Sequence, residues 1–360
     1  MKRVLEIFTF QGGYKGGVAT MVMSYIEGNS IFSEHGYRLS NLNISPIINT
    51  GITIIDNFIY IFTQRLEVCK HLKKNNYDVI HIHTSREYLF FKDILLAKMI
   101  KKIHHTSVIL TIHVGDVETV YNRISWFKKK SINIINNYID KVIFLSKTMK
   151  NEFIEMGLLL SKSVVLYNFH NFIPSNSFCK HECNELKLQL LYVGAIHREK
   201  GIIELLSALN KLPNLDYHLN VCGQLTDTRI KKEISCYKNN LGRRVSFLGY
   251  VSGETKTQIF ESSDILILPS YHEGLPIVIL EALGAGCAII ATKVGAIPEI
   301  LSEDNCFWVD IASDDSIIET LSNISFTKIK SMKEKNKDLG EIYSFPNHVE
   351  LLCEIYNQVT

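Results

Sequence analysis

The sequence has no Cys-x-x-Cys pair. Its eight cysteines, at 69, 179, 183, 222, 236, 287, 306 and 353, are scattered, which excludes a disulfide-stapled secreted framework and fits reduced thiols. Cys179, His181 and Cys183 lie close together in a polar stretch, but with no second ligand pair nearby a zinc site is not expected there. Charge, Pro or Gly interrupts every apolar run before about 18 residues, so no membrane-crossing helix is expected. Glu6 breaks the short apolar run at the N-terminus, which argues against a signal peptide and for a cytosolic location. An aromatic-and-basic ribonucleoprotein pattern, a zinc finger and a basic helical arm are all missing, and no nucleic-acid partner is expected. No fixed-period repeat occurs, which excludes solenoids and arrays.

What is present is a chain of 360 residues, too long for one typical core, with 46% hydrophobic and 21% charged residues. Two packed domains are expected. The net charge of +2 conceals an asymmetry, because residues 1–185 carry 22 Lys/Arg against 15 Asp/Glu, or +7, and the remaining 17 against 22 give −5. A basic half without a nucleic-acid motif points to anionic lipid or phosphate.

Residues 273–287 read Glu-Gly-Leu-Pro-Ile-Val-Ile-Leu-Glu-Ala-Leu-Gly-Ala-Gly-Cys, and Glu281 is the only charge between Gly274 and Thr292. Pro276 suits the first turn of a helix and Gly284 and Gly286 suit its end, which predicts a buried helix of about ten residues. Its N-terminus presents free N–H groups and positive dipole to an anion beside Glu273. A lone carboxylate among Ile277, Val278, Ile279, Leu280 and Leu283 is costly, so Glu281 is either paired inside the fold or lies on a narrow wet stripe.

Strand and helix patterns alternate from the start. Val4 to Phe10 reads as a strand, and Gln11 to Gly17 is a glycine-rich loop before a helical pattern over residues 18–33. That order suits either a phosphate cradle or a plain tight turn. Further strands are expected at 37–44, 77–83, 107–113, 141–145 and 163–167, with helices at about 56–74 and 85–104. Residues 169–186 lose the pattern and read as a linker. A second series follows, with strands at 189–194, 217–222, 245–248, 264–268, 288–291 and 306–309 and helices at 199–209 and 228–240. This rhythm predicts two doubly wound parallel α/β domains. His81 and His83 share one face of a strand, where a structural or supporting role is the stronger reading because no third ligand follows at a helpful spacing. His113 ends a strand, at the edge where open α/β sheets gather ligands; taken alone it is better read as a core histidine.

Glu273, seven residues, Glu281 and then Gly295-Ala-Ile-Pro-Glu299 together resemble the C-terminal signature of the retaining GT-B glycosyltransferases grouped as family 4, the glycosyl transferases group 1. Gly16-Gly17, His113, Val193-Gly194, Lys200-Gly201 and Gly249 fall in that family's order, so the resemblance covers nearly the whole chain. It implies an α/β fold of two Rossmann-like domains with a donor cleft between them. In that reading residues 1–170 bind the acceptor, 171–186 are the linker, 187–345 bind a nucleotide sugar, and 346–360 form a helix crossing back to the first domain.

The resemblance also implies the site. Glu281 would bind the ribose, while Glu273 with the backbone of Gly274, Leu275 and Pro276 would contact the transferred sugar. Lys200 would neutralise the diphosphate, Gly16 and Gly17 would approach it, and His113 would bond the donor sugar. Tyr250 and Val251 would line the base. His113, Glu273 and Lys200 are the expected catalytic groups. Where the family carries an arginine after the glycine, Ala195 stands here; Arg198 or Lys15 is the candidate replacement. The other common transferase fold uses a divalent ion held by Asp-x-Asp, and no such pair ends a predicted strand, so neither metal nor cofactor is expected. The implied function is retaining transfer from a nucleotide sugar, first a UDP-sugar, to a saccharide that is growing or linked to a lipid such as polyprenyl diphosphate. The implied setting is bacterial surface polysaccharide, capsule, lipopolysaccharide or O-antigen, with peripheral attachment to an anionic membrane. A nucleotide-sugar 2-epimerase and a non-catalytic saccharide- or partner-binding subunit remain as alternatives.

Overall fold

A computed structural model of the chain describes residues 1–8, 17–44, 53–84, 87–113, 125–174 and 187–360. Gly16, Lys15, most of the glycine-rich segment, residues 45–52 and 114–124, and the Cys179–Cys183 segment lie outside the described residues. The chain divides into two compact units, residues 1–167 with 345–360, and residues 168–344.

The first unit is built on β1 (Lys2–Phe8), β2 (Tyr37–Asn43), β3 (Val79–Thr84), β4 (Ser107–Ile112), β5 (Lys141–Phe144) and β6 (Ser163–Val165). They form one parallel sheet in the order β2-β1-β3-β4-β5-β6. β3 is buried at all six positions, as expected of a parallel strand covered on both faces. Helices Thr53–Lys74, Glu87–His104, Ser125–Tyr138 and Lys147–Glu155 supply covering layers, with Phe90, Ile94, Ile135 and Phe153 in one core cluster with Ile7, Ile80 and Phe144.

The helix expected over 18–33 is instead two helices, Gly17–Glu27 and Asn29–Glu34. A side chain at Gly28 would collide with the Phe345 ring, so the break is set by the C-terminal helix Phe345–Asn357 packing there. That helix is tied to the sheet by Tyr356, whose hydroxyl donates to Glu6 Oε1 at 2.7 Å, and to β2 by Tyr37, which donates to Asn357 Oδ1 at 2.8 Å.

The second unit repeats the plan with β7 (Leu188–Val193), β8 (Tyr217–Cys222), β9 (Val245–Gly249), β10 (Ile265–Leu268), β11 (Ala288–Thr292) and β12 (Phe307–Val309). All pairings are parallel, in the order β12-β11-β10-β7-β8-β9. Its core joins Leu190, Tyr192 and Ile267 on the sheet to Leu206 and Leu209 on the helix Ile202–Asn210. The glycines of residues 273–287 divide their work. Gly286, at φ +70°, caps the helix Ile277–Ala285, whereas Gly284 lies inside it and gives room to the His170 ring. Pro276 precedes that helix rather than entering its first turn.

Candidate active site

The second unit gathers its candidates at the carboxyl edge of the sheet. From the neighbours β7 and β10 the chain lays down strands in opposite directions, β8 and β9 on one side, β11 and β12 on the other. A sheet wound this way leaves a crevice outside the strand ends where the winding reverses. β7 leads into the turn Arg198–Lys200 and β10 leads into Glu273, and the two loops meet in an ion pair of Lys200 Nζ with Glu273 Oε1 at 2.7 Å. The pair is partly shielded, with side-chain exposures of 31% and 10%.

Two glycines make this approach possible. A side chain at Gly201, φ +69°, would collide with the Pro269 carbonyl, so the turn bearing Lys200 lies directly on the loop after β10. One at Gly295, φ +55°, would collide with the carbonyls of Glu273 and Gly274, and Ala296 N–H donates to the Gly274 carbonyl at 2.8 Å. The segment Gly295–Glu299 therefore braces the backbone that carries Glu273. Leu275 is buried, and its carbonyl accepts from Asn168 Nδ2 at 3.0 Å, fixing the entry to the helix.

Glu281 is enclosed and paired. Lys256 Nζ, from the helix Gly253–Glu261, stands 2.5 Å from Glu281 Oε1, and only 15% of the Glu281 side chain is exposed, which settles the two readings left open by the sequence. Nothing in the sequence pointed to Lys256, since no local spacing links a strand-end helix to a residue 25 positions on. Tyr250, exposed, and Val251, half-buried, follow Gly249. Gly249 is held at φ +70° and its carbonyl accepts from Gly223 N–H at 2.7 Å.

At the departure from the family pattern, the Ala195 carbonyl accepts from the Tyr192 hydroxyl at 2.9 Å. Arg198 is drawn to the helix Lys231–Leu241, where its Nη2 pairs with Glu233 Oε2 at 2.6 Å on the exposed side of the turn.

In the first unit Gly17 is the first residue of the helix Gly17–Glu27. His113 follows β4, half-buried, with its backbone N–H on the Thr84 carbonyl at 2.8 Å. His83 Nδ1 lies 3.0 Å from His113 Nε2, and His83 Nε2 lies 2.7 Å from Glu6 Oε2. β1 and β3 are the pair at which this sheet's winding reverses, and they carry Glu6 and His83. Burial lowers His83 to about 4 and holds His113 well below the ordinary histidine range. His81, two residues before His83, bonds Tyr356 and Thr111 at 2.9 and 2.6 Å. Glu6, which the sequence offered only as a break in an apolar run, is the hub of this network. Its distance from His83 along the chain hid the contact.

The lysines behind the first half's basic balance occupy different environments. Lys92 is buried, with its ammonium 3.3 Å from Asp93 on the same helix Glu87–His104, and belongs to the interior. Lys101 is paired with Asp140 at 2.6 Å, whereas Lys102, Lys129 and Lys130 are exposed.

Two family models match the chain, Glycosyl transferases group 1 over residues 175–341 and Glycosyltransferase Family 4 over residues 32–171. An uncharacterized glycosyltransferase of Methanocaldococcus jannaschii is 28% identical over 306 residues, covering 78% of this chain and 75% of its own length. A capsular polysaccharide biosynthesis glycosyltransferase of Staphylococcus aureus is 24% identical over 313 residues, covering 81% and 84%. Among solved structures, an Anabaena protein in complex with UDP-glucose superposes over 100% of both chains with a TM-score of 0.72 at 16% identity.

Proposed function

Because the chain belongs to the GT-B glycosyltransferases, family 4 and group 1, whose models together span its two units, we propose that it moves a sugar from a UDP-sugar onto a lipid-linked or growing saccharide of a surface polysaccharide, with retention of configuration. The observation that carries this is the Lys200–Glu273 pair at the reversal point between β7 and β10, directly before the helix Ile277–Ala285. Breaking a sugar–diphosphate bond puts negative charge on the leaving phosphate and positive charge on the anomeric carbon. Lys200 is set to take the first, assisted by the helix dipole. Glu273, at a braced loop, receives hydroxyls of the transferred sugar, and a phosphate arriving at Lys200 replaces one of its contacts without leaving the ammonium unpaired. Glu281 takes the ribose hydroxyls, with Tyr250 and Val251 against the base. His113 accepts a hydrogen bond from a sugar hydroxyl. The Anabaena protein's complex with UDP-glucose and the capsular relative support the donor and the setting. With protein cations in this role, the reaction proceeds without a divalent ion.

A panel of nucleotide sugars tests the reading. A true donor at about a hundred times its Kd adds about 2.7 kcal/mol of stability, and NMR of the product glycoside gives its anomeric configuration. Stabilisation by no UDP-sugar, product of inverted configuration, or activity abolished by EDTA and restored by magnesium would each overturn its part of the proposal.

A further inference from the structure

Behind His113 the first unit builds a chain of hydrogen bonds that the donor reading does not use. Glu6 of β1 stands opposite His81 of β3, and Glu6, His81 and His83 are all buried. Their ligand atoms lie close enough together to suggest a metal centre. The distances favour hydrogen bonds: two ligands of a tetrahedral ion with bonds of about 2.0–2.1 Å stand about 3.3 Å apart, whereas Glu6 Oε2 is 2.7 Å from His83 Nε2. Glu6 also receives the Tyr356 hydroxyl at 2.7 Å, so both carboxylate oxygens accept. Burial would raise its pKa, yet His81 and His83 hold Glu6 well below the ordinary carboxylate range, and an ionised carboxylate only accepts.

The direction of every bond to His113 follows. Since Glu6 accepts, His83 carries its proton on Nε2, and a neutral imidazole then offers a lone pair at Nδ1. The partner of that lone pair, His113 Nε2 at 3.0 Å, must donate. The His113 proton therefore sits on Nε2, and its Nδ1, which has no hydrogen-bond partner among the described residues, is an acceptor. We propose that Glu6 and His83 are positioning residues that lock His113 in the Nε2–H tautomer, so that its Nδ1 accepts a hydroxyl of the transferred sugar. The proposal rests on His113 meeting the donor sugar; the tautomer itself does not, and the two are tested separately.

Long-range proton–nitrogen NMR of the intact protein labelled at histidine nitrogen reads the tautomers directly. His113 is expected with its proton on Nε2 and His83 likewise; a proton on Nδ1 of either, the pattern a metal at His83 Nε2 would impose, overturns the lock. His83→Phe keeps a ring but removes the acceptor. It is expected to leave His113 as a mixture of tautomers and to lower kcat about tenfold while donor KM stays within about twofold, the scale of losing the support behind a functional histidine. Thr111→Val, which deprives only His81 of its 2.6 Å partner, is the control and should leave the His113 tautomer and kcat unchanged. Equal kcat in His83→Phe and wild type, or equal losses in His83→Phe and Thr111→Val, overturns the positioning role. If no nucleotide sugar is turned over, the donor reading fails and the NMR result still decides the lock.

Discussion

Glu281 lies one turn into a helix whose neighbouring side chains, Ile279, Leu280 and Leu283, are buried, and a carboxylate there persists because Lys256 meets it. A second acceptor contact to a ribose then costs no new burial. Glu281→Gln is expected to weaken UDP and UDP-sugar alike by about 1.5–3 kcal/mol, the scale of a hydrogen bond to a charged group; unchanged UDP affinity by calorimetry would remove Glu281 from the site. The missing arginine at Ala195 poses a sharper question. Arg198 is held by Glu233, but an exposed ion pair contributes only about 0–1 kcal/mol and opens readily for a diphosphate, which a guanidinium binds through two oxygens. Arg198→Ala should lower turnover about 100-fold with little change in Tm; full-speed turnover beside a crippled Lys200→Ala enzyme would transfer the role to Lys15. Glu281, with Glu273 at the head of the same stretch, stood out because charge is rare in that apolar run, whereas Lys200, inside the charged run Arg198-Glu199-Lys200, came only from the family resemblance. Lys256, Glu233 and Glu6 were not legible, because their importance comes from partners 25, 35 and 77 residues away.

The strands were legible throughout, since parallel strands buried on both faces read as short apolar runs, whereas the helices Ser125–Tyr138, Lys147–Glu155, Gly253–Glu261, Asp314–Asn323 and Phe326–Ile342, with more broken apolar patterns, were not read from the sequence. The break at Gly28 goes with the packing of Phe345 from the far end of the chain, which no local pattern encodes. Gly340 is a second such case. It lies in the helix Phe326–Ile342, and a side chain there would collide with the backbone of Leu283 and Gly284 on the crossing helix. Gly340→Ala is expected to destabilise the second unit by about 1–3 kcal/mol in denaturant titration, an unchanged midpoint showing that the helices can part without cost. The first unit, through His83 on β3 and His348 on the C-terminal helix, carries a pH dependence. Burial holds His83 down to about 4 and His348 down to about 3, so the folded unit stays neutral at these sites while the unfolded chain takes up protons near pH 6.5. Between those values the unfolded state binds more protons, and stability falls as pH falls from about 6.5 toward 4. Protection against hydrogen exchange in the first unit, corrected for intrinsic rates, should drop between pH 7 and 5; constant protection would show these histidines to be open to water.

At the scale of the molecule, the two halves differ by twelve charges, +7 in residues 1–185 and −5 in 186–360, although the two sheets share one plan. A common fold does not require that difference, so it is sought in what each half meets. The helix Glu87–His104 exposes Leu95 and Ile103 at 37% and 54%, with Lys98 and Lys102 beside them over the Tyr138 ring at 5.2 and 5.8 Å. Lys129 and Lys130 are exposed on the helix Ser125–Tyr138. Apolar residues flanked by lysines suit an interface where the stems reach lipid and the ammonium groups reach phosphate. Lys92 and Lys101 do not add to this surface, one being buried and the other paired with Asp140. Each remaining lysine near anionic lipid contributes about 1 kcal/mol, or about fivefold in binding. The protein is therefore expected to sediment with phosphatidylglycerol vesicles and not with phosphatidylcholine vesicles at low salt, and to be released as salt shortens the Debye length. Lys102→Glu with Lys129→Glu should abolish that binding and leave turnover of a soluble acceptor intact. Equal sedimentation with both lipids, or binding untouched by the double reversal, would mean that these lysines serve only as solvated helix faces.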